Sequence, residues 1–325
     1  MSLLELCDIR VWFPIRHGIL SRTVGYVRAV DGVTLTVEAG ETLGLVGESG
    51  CGKTTVARAI LRLVPVHAGS IRFEGRDLLT LPQRELRQLR RQIQIVFQDP
   101  FASLNPRMTT LETLTEGLLT YGIVSRRQRE PAAVALLQNV GMSPDALYRY
   151  PHEFSGGQRQ RISIARAIAL RPRLVVCDEA VSALDVSVRA QVLNLLMDLR
   201  EQYGLAYLFI SHDLGVVRQI ADRLAVMYLG RIVEVGPTDA VMDTPAHPYT
   251  RALISAIPRP GEKKCQRIVL MGDVPSPANP PAGCRFHTRC PFATAECRET
   301  EPVLELLAGQ GQKAHQVACL RRHEL

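Results

Sequence analysis

An α/β fold with a mainly parallel sheet is predicted by three features of this 325-residue chain. Short apolar runs that stop abruptly at polar residues recur at 41–46, 175–177 and 205–210. Segments of helical period lie between them, as in Arg189–Arg200, where Val192, Leu195, Leu196 and Leu199 share one face. A glycine-rich loop joins the first apolar run to a helical pattern. Buried strands alternating with helices pack as a parallel sheet covered on both faces.

Taken in order, ETLGLV at 41–46 reads as a buried strand, and KTTVARAILRL at 53–63 as the helix after it. The run through Val175 and Val176 ends at Cys177, Asp178 and Glu179, and Leu205–Ile210 ends at Ser211 and His212. The stretch from about 101 to 172 lacks comparable strands and reads as a helical insertion. Past Ile257 the texture changes: Pro258, Pro260, Pro275, Pro277, Pro280 and Pro281 interrupt the chain and cysteines concentrate. This predicts a first domain over 1–257, with a helical subdomain at about 101–172, and a small second module over 258–325.

Composition narrows the class. Hydrophobic residues make up 46% of the chain and charge is well mixed, which argues against disorder. No run of about 18 apolar residues occurs, so no segment is expected to span a bilayer. Glu5 and Asp8 interrupt the apolar start, which has no basic leader and does not resemble a secretory signal. The formal net charge is +7, carried almost wholly by scattered arginines. Such charge alone would allow a nucleic-acid partner, but its dispersal reads as a solvated surface, and none is expected.

The chemistry begins at GESGCGKTT, Gly47–Thr55. Gly47, Gly50 and Gly52 allow backbone N–H groups to turn inward and cradle phosphate oxygens. Lys53 is spaced to reach the β- and γ-phosphates and Thr54 to ligate Mg²⁺, while the following helix adds its positive end. A preceding strand and a following helix are the context this motif needs. Asp178 closes an apolar strand, where a carboxylate holds Mg²⁺ through water, and Glu179 is placed to polarise an attacking water. His212 follows the next strand; alone it is a weak signal, and in this context it is a candidate contact to the γ-phosphate.

Together these residues resemble the ATP-binding cassette (ABC) ATPases, a P-loop NTPase (RecA-like) family, over about residues 5–257. Gly47–Thr55 resembles the Walker A loop, and Gln98 in VFQDP the Q-loop glutamine. FSGGQ at 154–158 resembles the signature motif and VVCDE at 175–179 the Walker B strand. SALD at 182–185 resembles the D-loop, and SHD at 211–213 the switch-histidine loop. All stand in the family's order. The resemblance implies that Glu48, Ser49, Cys51 and Thr55 line the nucleotide with the other loop residues. It implies that Thr54, Gln98 and Asp178 serve Mg²⁺, and that Glu179, His212, Lys53 and Gln98 serve hydrolysis. Phe13 resembles the residue that stacks on adenine, with Trp12 and Tyr26 as competitors. Ser155, Gly156, Gly157 and Gln158, with Asp185, would face a second cassette's nucleotide, so that two ATP molecules join two cassettes. Gln98 would also link nucleotide to a membrane subunit.

The sequence departs from the family pattern twice. Phe154 stands where leucine is commonest, an apolar exchange expected to be tolerated. Ala180 replaces a proline after Glu179, which removes a rigid turn and is expected to loosen that loop without abolishing hydrolysis.

HPYTRALISAIP at 247–258 and GDVPSPANPPAGCRFHTRCPFA at 272–293 resemble the tails of dipeptide and oligopeptide importer ATPases, a subfamily shared with nickel and some glutathione importers. Within it the match is to the second ATPase subunit of a dipeptide importer. The resemblance implies ATP-driven uptake of dipeptides and oligopeptides across the cytoplasmic membrane, by a subunit peripheral to the cytoplasmic face of that inner membrane. Its implied partners are a sibling ATPase, two permease subunits and an extracytoplasmic peptide-binding protein. Nickel or glutathione remains an alternative cargo. A non-transport ABC ATPase is a further alternative, although one cassette and no sustained heptads argue against the ribosomal and DNA-repair kinds.

Cys284, Cys290, Cys297 and Cys319 are spaced x5, x6 and x21. Four thiolates suit an iron–sulfur cluster or an all-cysteine zinc site, although the paired knuckles of zinc ribbons are absent. Four unrelated thiols are the plain alternative. The subfamily resemblance implies a [4Fe–4S] cluster. Cys7, Cys51, Cys177 and Cys265 need no metal role.

Overall fold

Thr42–Val46, Leu174–Asp178 and Ala206–Ile210 are buried at every residue, as strands covered on both faces must be. The computed structural model describes residues 2–18, 21–257, 268–307, 315–322 and 324; Pro258, Pro260 and Cys265 lie outside them. The strands are β1 Ser2–His17, β2 Arg22–Glu38, β3 Thr42–Val46, β4 Ala68–Phe73, β5 Arg76–Asp77, β6 Ile93–Val96, β7 Leu174–Asp178, β8 Ala206–Ile210, β9 Arg223–Tyr228, β10 Arg231–Pro237, β11 Glu305–Leu306 and β12 Gln316–Val317. The chain divides into two compact units, one of Glu38–Glu41 and Leu81–Ile210, the other of Ser2–Val37, Thr42–Thr80 and Ser211–Leu325.

In the first unit, β6, β7 and β8 pair in parallel, with Ile93 opposite Leu174 and Leu174 opposite Ala206. Between β6 and β7 run the helices Pro100–Ser103, Thr110–Thr120, Arg129–Asn139 and Gly156–Ile168. Thr109 opens the second of these with a capping box: its Oγ1 accepts from Glu112 N, and Glu112 returns a carboxylate to Thr109 N. The crossover from β7 to β8 is the helix Val186–Tyr203, which buries Val192, Leu195, Leu196 and Leu199. Gly204 ends it at φ +62°, a left-handed conformation that glycine adopts freely.

In the second unit, β3 and β9 pair in parallel, and antiparallel neighbours β10, β12 and β11 extend that sheet. A separate four-stranded sheet has the order β2-β1-β4-β5, with β1–β4 and β4–β5 antiparallel. The β1–β4 register shifts between Cys7 and Arg10, where Asp8 takes φ +47°. These antiparallel parts stand beside the predicted parallel strands. The bulge at Asp8 moves the buried residues of β1 from Leu4 and Leu6 to Ile9 and Val11, so the chain shows no unbroken two-residue alternation.

The C-terminal residues are built into this second unit. Glu234 is fully buried on β10, and its carboxylate accepts from Ala246 N at 2.7 Å and His247 N at 2.9 Å. It also meets His315 Nε2 at 2.7 Å. Phe286 packs among Tyr228, Tyr249 and His247, with ring centroids 5.2–5.6 Å apart. Arg285 donates to Leu229 O at 2.7 Å and pairs with Asp31. Burial raises the Asp31 carboxyl, but the Arg285 guanidinium, together with the Arg231 charge and the Trp12 N–H, holds it below the usual carboxylate range.

Candidate active site

The phosphate loop lies in the second unit. β3 delivers the chain to Gly47, and the helix Lys53–Ile60 leaves from Gly52. Two of its glycines are irreplaceable on steric grounds. A Cβ on Gly47, at φ +153°, would lie 2.1 Å from Met227 O, and one on Gly52, at φ +111°, would lie 2.1 Å from Ala29 O. Lys53 is buried, and its Nζ donates to Gly47 O at 2.8 Å and Glu48 O at 3.0 Å, folding the loop around the ammonium. Cys51 Sγ is 3.7 Å from the same nitrogen. Burial raises the Cys51 thiol above its ordinary value, against the pull of Lys53. Ser49 and Gly50 are exposed, and Thr54 and Thr55 are half-buried at the start of the helix.

His212 also belongs to the second unit and is exposed. Its neighbours fix its turn: Asp213 N donates to Ser211 Oγ at 3.0 Å, and Asp213 Oδ1 caps the next helix by accepting from Gly215 N and Val216 N. Of the aromatic candidates, Trp12 stacks on His67 with centroids 5.9 Å apart and lies 6.1 Å from Tyr26. Arg28 sits over the Trp12 ring, and the indole N–H donates to Asp31 Oδ1 at 3.1 Å. Phe13, the next residue on β1, is half-buried.

The first unit carries the carboxylates. Asp178 is the last residue of β7 and is 4% exposed. Glu179 follows at φ +49°, unusual for a residue with a side chain. Its N–H donates to Ile210 O at 3.0 Å, and its carbonyl accepts from Ser182 N at 3.1 Å and Ser182 Oγ at 2.9 Å. Gln98 Nε2 donates to the Glu179 carboxylate at 2.8 Å. Ala180 is buried. The turn expected to be loose without proline is thus tied by backbone and Ser182 hydrogen bonds.

Ser155 caps the helix Gly156–Ile168 reciprocally: Gln158 N donates to Ser155 Oγ at 3.3 Å, and Ser155 N to Gln158 Oε1 at 3.0 Å. Ser155, Gly156 and Gln158 are exposed, so this helix start is presented outward in its unit. A Cβ on Gly157 would meet Val188 Cγ1 at 2.4 Å. Phe154 is buried, with the Arg149 guanidinium 4.6 Å from its ring centre, and Asp185 is exposed at the start of Val186–Tyr203.

Cys284, Cys290, Cys297 and Cys319 line one cavity of about 20 Å³ together with Phe286, Phe292 and His287. Burial, followed by their mutual repulsion as thiolates, raises Cys284 to about 11 and also raises Cys290 and Cys319. Among the described residues, no group of three or more His, Cys, Asp or Glu side chains is arranged to hold a metal ion. The cavity brings together thiols that the sequence separates.

Two residues near the phosphate loop escaped sequence reasoning. Tyr249 Oη accepts from Glu48 N at 2.9 Å, and Arg289 donates to both Glu48 carboxylate oxygens, at 2.8 and 3.3 Å. Burial would lower the Arg289 guanidinium, but its two hydrogen bonds to the Glu48 carboxylate raise it above its ordinary value.

Comparison with known proteins decides the family. The family described as ABC transporter matches residues 30–182, and the one described as the C-terminal region of oligopeptide/dipeptide transporters matches 233–297. The oligopeptide transport ATP-binding protein AppF of Bacillus subtilis is 52% identical, over 98% of this chain and 97% of its own length. The chain belongs to the ATP-binding subunits of oligopeptide ABC transporters. The oligopeptide transport ATP-binding protein OppF of Salmonella typhimurium is also 52% identical, over 98% of this ATPase subunit and 96% of itself. A dimeric ATP-binding cassette, MJ0796, in a post-hydrolysis state bound to ADP and Pi, superposes with a TM-score of 0.64 at 26% identity. It covers 72% of this chain and 98% of its own. The matched C-terminal region takes in Tyr249, Phe286, Arg289 and three of the four clustered cysteines. Among the described residues, no helix of the ATPase subunit is long and apolar enough to cross a membrane.

Proposed function

We propose that this subunit hydrolyses ATP to drive uptake of short peptides through a membrane permease. The observation that carries the reading is identity of about one residue in two with oligopeptide transport ATP-binding proteins across nearly the whole chain, C-terminal region included. The phosphate loop, with Lys53 folded among its carbonyls, is the binding element for the β- and γ-phosphates. The reaction is in-line attack of water on the γ-phosphate. Mg²⁺, when bound, offsets phosphate charge. Lys53 and Thr54 hold phosphate and metal, and Asp178 holds the metal's water shell. Glu179 orients and polarises the water, His212 stabilises the transition state, and Gln98 reports nucleotide state to the permease through its bond to Glu179. Phe13 supplies the adenine face. Ser155–Gln158 and Asp185 act on the nucleotide of a second cassette, for which the exposed, capped helix start at Gly156 is suited.

The partners in this reading are a sibling ATPase in a hetero-pair, two permease subunits and an extracytoplasmic peptide-binding protein. The subunit works peripherally on the cytoplasmic face of the inner membrane. In this reading Cys284, Cys290, Cys297 and Cys319, which line one cavity, would hold the [4Fe–4S] cluster that the subfamily resemblance implies. Such a cluster cross-links a tail that is rich in proline. The test is a reconstituted transporter in liposomes, loaded in turn with binding protein and peptide, nickel or glutathione. ATP hydrolysis stimulated by peptide alone is expected; stimulation only by nickel or glutathione would reassign the cargo.

A further inference from the structure

We propose that Arg289, in the cysteine-rich C-terminal region, is a positioning residue for the phosphate loop: it neutralises and orients Glu48, so that the loop presents N–H groups and no net negative charge to the phosphates of ATP. The inference rests on the phosphate-loop reading of Gly47–Thr54 given above. A carboxylate one residue into an anion-binding loop opposes the loop's purpose, because it repels the phosphates that the backbone N–H groups attract. Glu48 is such a carboxylate. Arg289 Nη1 donates to its Oε2 at 2.8 Å and Nη2 to its Oε1 at 3.3 Å, a two-point grip that sets both charge and orientation. The Arg289 side chain is only 8% exposed and its cation lies 6.0 Å from the Tyr228 ring centre, so the grip is held from behind.

The backbone of Glu48 is fixed at both ends as well. Its N–H donates to Tyr249 Oη at 2.9 Å, and its carbonyl accepts from Lys53 Nζ at 3.0 Å. Tyr249 and Tyr228 pack with ring centroids 4.7 Å apart, so the residues that receive Glu48 form one block. Arg289 directly precedes Cys290, which lines the cysteine cavity. Nucleotide affinity is therefore set partly by a residue 241 positions away, outside every nucleotide-binding motif.

The test is titration of the full-length subunit with a fluorescent ATP analogue. Arg289→Ala is expected to weaken binding about 10-fold, the scale of a lost charge-assisted pair that leaves a carboxylate uncompensated. Adding Glu48→Gln to Arg289→Ala removes the repulsion and restores binding to within about 3-fold of wild type. Raising salt shrinks the Arg289→Ala defect, because screening weakens the repulsion from the half-buried Glu48 carboxylate. If Arg289→Ala does not fold, Arg289→Gln carries the same comparison. Wild-type affinity in the single variant, or a defect that Glu48→Gln leaves untouched in folded protein, overturns the proposal. Lys53→Ala is the reference: if it too binds as wild type, the phosphate-loop reading has failed, whereas its loss beside an unaffected Arg289→Ala sinks the inference alone.

Discussion

Gln98 donates its amide N–H to the Glu179 carboxylate at 2.8 Å, joining the chain after β6 to the end of β7. The carboxylate read as the water's partner is therefore oriented by the residue read as the sensor. Gln98→Ala removes that bond but no charge. It is expected to lower ATP turnover about 10-fold and to abolish the stimulation of hydrolysis by peptide and binding protein. Basal and stimulated ATPase rates of the reconstituted transporter check this; stimulation that survives in full contradicts the linkage.

Gly157 is the tightest position in the signature segment, since a Cβ there would lie 2.4 Å from Val188 Cγ1. Gly157→Ala is expected to displace the start of the helix Gly156–Ile168 and to cut ATPase activity at least ~10-fold. Because the obstructing atom is a side-chain methyl, Gly157→Ala with Val188→Ala should recover much of the loss. Activity of the single and double variants decides it, and an equally inactive double variant would show that the backbone at Gly157 needs more than space.

His247 is wholly buried, and burial, opposed by Glu234, pushes its imidazole down to about 4 from an ordinary 6.5. The folded state thus binds this proton less readily than the unfolded state. The stability it contributes is full above pH 6.5 and is lost as pH falls towards 4, by up to roughly 3 kcal/mol. His247 Nδ1 also accepts from Tyr249 N at 3.1 Å to open the helix Pro248–Ser255. His247→Asn can keep that cap and cannot titrate. Urea unfolding at pH 7.5 and pH 5 should show a smaller acid loss in the variant, at lower overall stability; an unchanged pH difference would contradict the assignment.

Cys177 is fully buried on β7, and its thiol is pushed up to about 12, first by desolvation and then by Asp178. Cys7 is exposed on β1. Iodoacetamide at pH 8 should modify Cys7 in the folded subunit and leave Cys177 untouched until denaturant is added. Peptide mass mapping reads both sites, and rapid native labelling of Cys177 would show that β7 opens readily.

The phosphate loop was legible because its requirement is local: Gly47, Gly50, Gly52 and Lys53 act within one turn of chain. The strand ends at Asp178 and Ile210 were legible because full burial makes each strand an unbroken apolar run. The antiparallel strands β1 and β2 were not, because the bulge at Asp8 breaks the alternation that would reveal β1, and β2 buries residues only towards its end. The ties of Ala180's turn were hidden as well, since Ser182 and Ile210 supply bonds where a proline would have supplied stiffness. Arg289–Glu48 and His315–Glu234 span 241 and 81 residues, and no pattern of residue types announces either pair.

The most direct test of the central claim is peptide uptake in cells carrying the whole transporter with Glu179→Gln in this subunit. Glutamine keeps the shape and the hydrogen bond from Gln98 but removes the carboxylate that polarises water. Uptake should collapse by about 100-fold or more while the subunit still binds ATP. Unchanged uptake, with ATP binding intact, would contradict the claim that Glu179 of this chain drives the transport step.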